Sequence, residues 1–232
     1  MYRPTPPPPG ARHLKVAAAL GVLAVLAMAL TAVEWRPLRT LDTDVANGLH
    51  SSALDHPGLT RTARVLTDWV WDPWTFRLLL AVVVVGLLWR GEQLLALWMA
   101  GTALVGSGIQ QGLKAALGRE RPKWREPVDS AEYAAMPSGH ALTAALVCVL
   151  LLWLLRTRGT PPAGIWWPAV ALACVSVIGV AFTRVWLGVH WLTDTLVGVA
   201  LGTAIGLAAA AGWTTLGPGA REAAQREPQG QG

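Results

Sequence analysis

The sequence predicts an all-α fold, a polytopic membrane bundle of six transmembrane helices. Three observations predict it. Of 232 residues, 53% are hydrophobic and 14% charged, against about 25% charged in a typical soluble domain. The apolar residues gather in runs close to the roughly 20 residues a helix needs to cross a bilayer. Many of the 13 tryptophans flank those runs. Trp35, Trp69, Trp71, Trp74, Trp89, Trp166, Trp167 and Trp213 stand where amphipathic rings settle at a membrane interface.

Residues 1–12 hold a proline tract, Pro6 to Pro9, among basic residues and read as a disordered cytoplasmic tail. The first apolar run is about Leu14–Val33. Its basic start and the triplet Ala27-Met28-Ala29 also fit a cleavable signal peptide, but its length favours a retained first span. Residues 34–72 are mixed. Ala46, Leu49, Leu54 and Leu59 lie among polar residues there, which predicts short interfacial helices. The second span is about Trp74–Trp89, and Gly91 makes a tight connection to the third, about Glu92–Leu113. A polar loop, 114–137, leads to a fourth span at about Gly139–Leu155. The fifth is about Ile165–Thr183 and the sixth about Trp191–Ala211. The membrane domain is thus 13–212, and residues 213–232 read as a second disordered cytoplasmic tail. Cys148 and Cys174 fall inside apolar runs, as core residues rather than a disulfide.

Charge orients the bundle. Six spans put both termini on one side. That side collects Arg3, Arg12, Lys15, Arg90, Arg156, Arg158, Arg221 and Arg226, opposed by Glu92, Glu222 and Glu227. The positive-inside rule makes it the cytoplasm of a plasma-membrane protein. The 34–72 segment, the 114–137 loop and the link after span five then face outward. The net charge of +5 does not indicate nucleic acid, because the basic residues sit at the ends of apolar runs and form no stripe interleaved with exposed aromatics.

Three polar clusters interrupt the apolar chain, all at the outward face. The first is Lys114 with Arg121-Pro122. Pro122 disfavours helix at Arg121, so span three ends before it. The second is Pro137-Ser138-Gly139-His140, directly before span four. A helix N-terminus offers unpaired N–H groups to an anion, Ser138 is placed to cap it, and Gly139 admits close approach. The third is Arg184, His190 and Asp194. His190 and Asp194 are four apart and share a helix face. A carboxylate on one imidazole nitrogen leaves the other with a lone pair for attack. Taken alone, each cluster also fits a structural role: snorkelling cations, an ordinary helix cap, a helix-end ion pair. Together they suit a tetrahedral, multiply charged anion, and phosphoryl transfer needs charge on its equatorial oxygens. Carboxylates at this face are too scattered for a two-metal site, so no metal and no cofactor is expected.

In order, Lys114-x6-Arg121-Pro122, Pro137-Ser138-Gly139-His140 and Arg184-x5-His190-x3-Asp194 resemble the three motifs of the type-2 phosphatidic acid phosphatase superfamily, in its membrane branch, over roughly residues 65–212. The resemblance implies a metal-independent phosphatase. His190 would carry a phosphohistidine, Asp194 would orient it, and His140 would serve as acid and then base. Lys114, Arg121 and Arg184, with Ser138 and the Gly139 N–H, would hold the phosphate. Thr183 stands where the family usually has serine before the third-motif arginine. The implied partner is a membrane lipid substrate in the bilayer. Phosphatidic acid, phosphatidylglycerol phosphate and polyprenyl diphosphates are family substrates, and an undecaprenyl diphosphate type is the first expectation. Transfer to a lipid or sugar acceptor, and a non-enzymatic anion carrier, are the alternatives to hydrolysis.

Overall fold

A computed structural model describes residues 10–217, and every regular element within them is helical. The chain runs α1 (Ala11–Ala32), α2 (Arg36–Asp55), α3 (Pro57–Val65), a π-helical turn (Leu66–Val70), α4 (Pro73–Trp89), α5 (Gln93–Leu117), α6 (Gly139–Thr157), α7 (Ala163–Trp186) and α8 (Leu192–Leu216). Among the described residues, five stretches are long and apolar enough to cross a membrane: α1, the Pro57–Trp89 stretch, α6, α7 and α8. The expected count of six is not reached on those criteria. Of the two helices outside these stretches, α2 and α5, the expected third span is α5, which has 25 residues, roughly 37 Å at about 1.5 Å each. Thr102, Ser107, Gln110 and Gln111 dilute its apolar character.

Other expectations need correction. Residues 34–72 do not form short helices alone, because α2 has 20 residues. Helix extends beyond both ends of the 13–212 domain, to Ala11 and to Leu216, while the tail residues 1–9 and 218–232 lie outside the described residues. Trp69, Trp74, Trp89 and Trp167 are exposed. Trp213 instead packs with Trp98 and Trp153, and Trp71 fills space that a side chain at Gly179 would need. Cys148 and Cys174 are free thiols, and Cys174 is exposed rather than in the core.

The central pair is α6 and α8, with α1 laid along the other side of α8 and α4, α5 and α7 packed around α6. The pair approaches closely because Gly198, Gly202 and Gly206 fall four apart on one face of α8. A Cβ on Gly198 would stand 2.7 Å from the Ser138 carbonyl oxygen, and one on Gly202 would stand 2.3 Å from that of Leu142. Met99, Leu142, Leu146, Leu150, Val197 and Leu201 fill the surrounding core. At the end of the bundle that holds the N-terminus of α6, α2 and α3 cover the turn between α7 and α8. Ala53 and Ala63 meet Trp186, Leu187 and Val189 there.

Candidate active site

The three clusters converge at this end of the bundle. Helix α5 stops at Leu117, where Gly118 takes the left-handed conformation of a helix terminator (φ 56°). Lys114 is left in its last turn and Arg121 in the loop beyond. Ser138 takes the N-cap position of α6, but its side chain makes no capping hydrogen bond. This corrects the expected cap. Its backbone N–H instead donates to the Asp194 carbonyl oxygen at 3.0 Å, which joins the second cluster to the third.

His190 lies in the turn between α7 and α8 and is 1% exposed. Its Nδ1 is 3.3 Å from Asp194 Oδ2, and its Nε2 is 3.1 Å from Arg121 Nη1. A guanidinium only donates, so Nε2 carries the lone pair and Nδ1 the proton that faces Asp194. Burial, and then the cations Arg184, Arg121 and Lys114, hold the imidazole well below its ordinary value of 6.5. It is neutral at pH 7.

The turn itself is fixed from outside. Gly188 has φ +67°, and Trp124 Nε1 donates to its carbonyl oxygen at 2.8 Å. The Trp124 ring stacks on His50 at 3.9 Å between centroids. Arg121 Nη1 also donates to the Val189 carbonyl oxygen, while its Nε reaches that of Tyr133 at 2.9 Å and its Nη2 that of Glu132 at 3.0 Å. Carbonyl oxygens therefore anchor the guanidinium without neutralising it. Lys114 Nζ is held in the same manner by the Ala134 carbonyl oxygen.

Arg184 differs from both. It is 5% exposed, and its Nε has no hydrogen-bond partner. Ser138 Oγ is likewise buried and unpartnered. Unsatisfied buried donors are rare and call for a ligand or a function. His140, half-buried in the first turn of α6, lies 3.7 Å from Asp72 through Nε2. Asp72 caps α4 by accepting from the Trp74 N–H at 2.7 Å.

Thr183 faces elsewhere. Its hydroxyl donates back to its own helix, at 2.9 Å to the Gly179 carbonyl oxygen, and accepts from Thr67 at 2.8 Å. That bond ties α7 to the π-helical turn.

Several residues at this site were not read from the sequence. Arg119 reaches Asp194 at 2.5 Å and Asp42 at 2.6 Å. Thr193 donates through its N–H to Asp42 at 2.9 Å. Asp72 and Trp124 are the others. An Asp-Pro-Trp-Thr run is a legible helix start that would have flagged Asp72. Asp42 carries no local signal, because its partners are far away in the chain.

Residues 95–217, more than half of the chain and all three clusters, match the family model described as PAP2 superfamily. The chain is similar to the decaprenylphosphoryl-5-phosphoribose phosphatase of Mycobacterium tuberculosis, in the CDC 1551 / Oshkosh and the ATCC 25618 / H37Rv strains. Identity is 31% over 162 residues, or 68% of this chain and 82% of that protein. It shares a fold with the transmembrane PAP2 type phosphatidylglycerolphosphate phosphatase from Bacillus subtilis. The TM-score is 0.73, the match covers 83% of this chain and 93% of the other, and identity is 21%. The chain belongs to the PAP2 superfamily and is a membrane phosphatase of that type.

Proposed function

We propose that this chain removes phosphate from an isoprenoid-linked lipid, or failing that a phosphatidate-type lipid, through a phosphohistidine on His190. The observation that carries the reading is the state of His190. Its lone-pair nitrogen sits against Arg121, and its proton is directed to Asp194. A site that only binds an anion has no need of an oriented lone pair.

In the first step Nε2 forms a bond to phosphorus as the bond from phosphorus to the leaving oxygen breaks. His140 gives that oxygen its proton. Asp194 stabilises the positive charge that grows on the ring. Lys114, Arg121, Arg184, Ser138 Oγ and the N-terminus of α6 take the charge on the phosphoryl oxygens. The arriving phosphate is opposite in sign to the cations and favours the protonated form of His140. In the second step His140 accepts a proton from water, whose oxygen bonds to phosphorus as the N–P bond breaks. Inorganic phosphate leaves and the enzyme is restored.

The proposed topology counts α5 as a sixth span, with both termini cytoplasmic and the site at the outer face of the plasma membrane. Headgroup depth there suits a lipid whose tail stays in the bilayer. An isoprenoid tail is favoured by the relative that acts on decaprenylphosphoryl-5-phosphoribose. The test is phosphate release in detergent, with chelator present. The panel is decaprenylphosphoryl-5-phosphoribose, a C55 diphosphate, phosphatidic acid and phosphatidylglycerol phosphate. Release from an isoprenoid substrate is expected, together with acid-labile labelling of the protein. His190→Ala should lose a factor on the order of 10⁵, and full activity in that variant would sink the reading.

A further inference from the structure

On the Asp194 side of His190, bordering a cavity lined by Asp42, Arg119 and Trp191, lies a hydrogen-bonded polar cluster with no obvious place in phosphate binding. Asp194 Oδ2 accepts from the Trp191 N–H at 2.9 Å and faces His190 Nδ1. Asp194 Oδ1 accepts from Arg119 Nη1 at 2.5 Å. Arg119 Nη2 donates to Asp42 Oδ2 at 2.6 Å, and Nη1 also reaches Thr193 Oγ1 at 2.8 Å. The Thr193 hydroxyl donates to Asp42 Oδ2, and its N–H donates to Asp42 Oδ1 at 2.9 Å. Asp42 is 1% exposed and Asp194 0%. Asp42 arrives from α2, which otherwise only covers this end of the bundle.

The charges do not cancel. Two carboxylates share one guanidinium, so the cluster carries one excess negative charge; Arg39, which lines the same cavity, is paired with Glu34 at 2.9 Å. Unbalanced charge on buried carboxylates is costly and tends to be retained for a reason. Suppose Asp42 were absent. Arg119 would neutralise Asp194 alone, and His190 would face a balanced ion pair. With Asp42 present, half of the guanidinium is engaged elsewhere and the Asp194 charge stays available to the imidazole. The cluster reaches neutrality when the ring becomes positive, as it does while phosphorus bonds to Nε2.

We infer that Asp42 and Arg119 are positioning residues that set how strongly Asp194 supports positive charge on His190. Asp42 raises that support, and Arg119 orients Asp194 while limiting it. The inference rests on His190 as the nucleophile. The other charged or titratable groups facing His190 are Lys114 from α5, Arg121 from the loop, His140 from α6 and Arg184 from α7. All four lie on the phosphate side and stay constant in the test.

The test uses the full chain in detergent with the best lipid phosphate of the panel. It measures kcat and KM from about pH 4 to about pH 8, and thermal unfolding, for wild type, Asp42→Asn, Arg119→Gln, Thr193→Val and His190→Ala. Asp42→Asn is expected to lose about 10- to 100-fold in kcat, with KM within about twofold, and its acidic limb of kcat/KM should move to lower pH. Arg119→Gln should also lose kcat, but its acidic limb should move to higher pH, because Asp194 then acts on the ring undiluted. Thr193→Val removes a hydroxyl and no charge, so its limb should stay in place. Ionisation of the substrate contributes equally to every profile, which leaves the differences to the protein. Limbs that do not move in Asp42→Asn, or that move in the same direction for the two charge variants, overturn the inference. So does a loss confined to KM. If Arg119→Gln fails to fold, the isosteric Asp42→Asn carries the test. An inactive wild type, or an active His190→Ala, would instead remove the underlying reading of His190.

Discussion

The two sides of His190 are built on opposite principles. On the Asp194 side all four carboxylate oxygens of Asp194 and Asp42 have partners. Asp194, Arg119, Asp42 and Thr193 close on one another within a few bonds. On the side proposed to bind phosphate, Arg184 Nε and Ser138 Oγ are buried with none, and Arg121 and Lys114 are held by carbonyl oxygens that leave their charge intact. A saturated network fixes geometry and contributes to stability. An unsatisfied one costs stability and is tolerated where a ligand completes it. The imidazole therefore sits at the boundary between a hydrogen-bonded carboxylate network and the region proposed to receive the phosphate.

That contrast is breakable by mutation. The largest effect expected after loss of His190 itself is at Asp194. Asp194→Asn should lower kcat by about 10³- to 10⁴-fold, as in other sites where the tautomer-fixing carboxylate becomes an amide. It should also lower the unfolding temperature, because Arg119 loses a partner in the interior. Kinetics and a thermal melt on the same preparation check both. Unchanged stability would show that the saturated side is not saturated for the sake of the fold.

Arg184→Gln tests the other side. It should lose about 10²- to 10³-fold in kcat/KM and yet unfold at the same or a higher temperature, since it removes a buried cation whose Nε is unpartnered. Inorganic phosphate should raise the unfolding temperature of the wild type more than that of this variant. A strongly destabilised Arg184→Gln would contradict the contrast.

The pH dependence sharpens the comparison. The folded chain holds the His190 imidazole well below 6.5, so a proton does not block Nε2 until the pH falls below that lowered value. The contribution of His190 to kcat/KM should stay level down through about pH 6.5, where an ordinary histidine begins to lose about tenfold per unit. The sign for stability is the reverse. Below about 6.5 the unfolded chain takes up a proton that the folded chain refuses, so His190 lowers stability progressively as pH falls. Rate profiles and melts across that range separate the two.

The smallest effect is expected at Thr183. Its hydroxyl is engaged with Gly179 and Thr67, so Thr183→Ser keeps both bonds and should change kcat/KM by no more than about twofold. A large change would mean that the methyl group positions Arg184.

The helices that cross apolar ground were legible because uninterrupted apolar length is a local property. Helix within residues 34–72 was legible too, but the 20-residue length of α2 was not, because Leu38, Leu41, Ala46, Leu49 and Ala53 are spread among polar residues and its burial comes from elements folded over much later in the chain. The same distinction separates the site residues. Lys114, Arg121, His140, Arg184, His190 and Asp194 stand out because charge at the end of an apolar run is costly without a purpose. Asp42 and Arg119 sit in segments already rich in charge, where one more is unremarkable. Their meaning lies in a contact between positions 42 and 193 that no spacing along the chain encodes. The small count of classifiable spans has a physical origin too. Helix α5 carries Gln110 against Gly139, where a Cβ on the glycine would meet the amide at 3.2 Å. That polar inner face lies beside the site and lowers the apolar average.

Gly198 and Gly202 have a consequence beyond close packing. The α6 terminus that would receive the anion and the α8 terminus that follows the proposed nucleophile belong to different helices, so their separation is a tolerance to be held, like the gap in a machine part. No spacer holds it here. The backbones rest on one another, with 2.7 Å or less between the position of a missing Cβ and the opposing carbonyl oxygen. Such a joint has one thickness and no adjustment. Repacking in the flanking helices leaves the distance between His190 and the α6 terminus as it was, while a single methyl group at this seam resets it without touching the His190 ring.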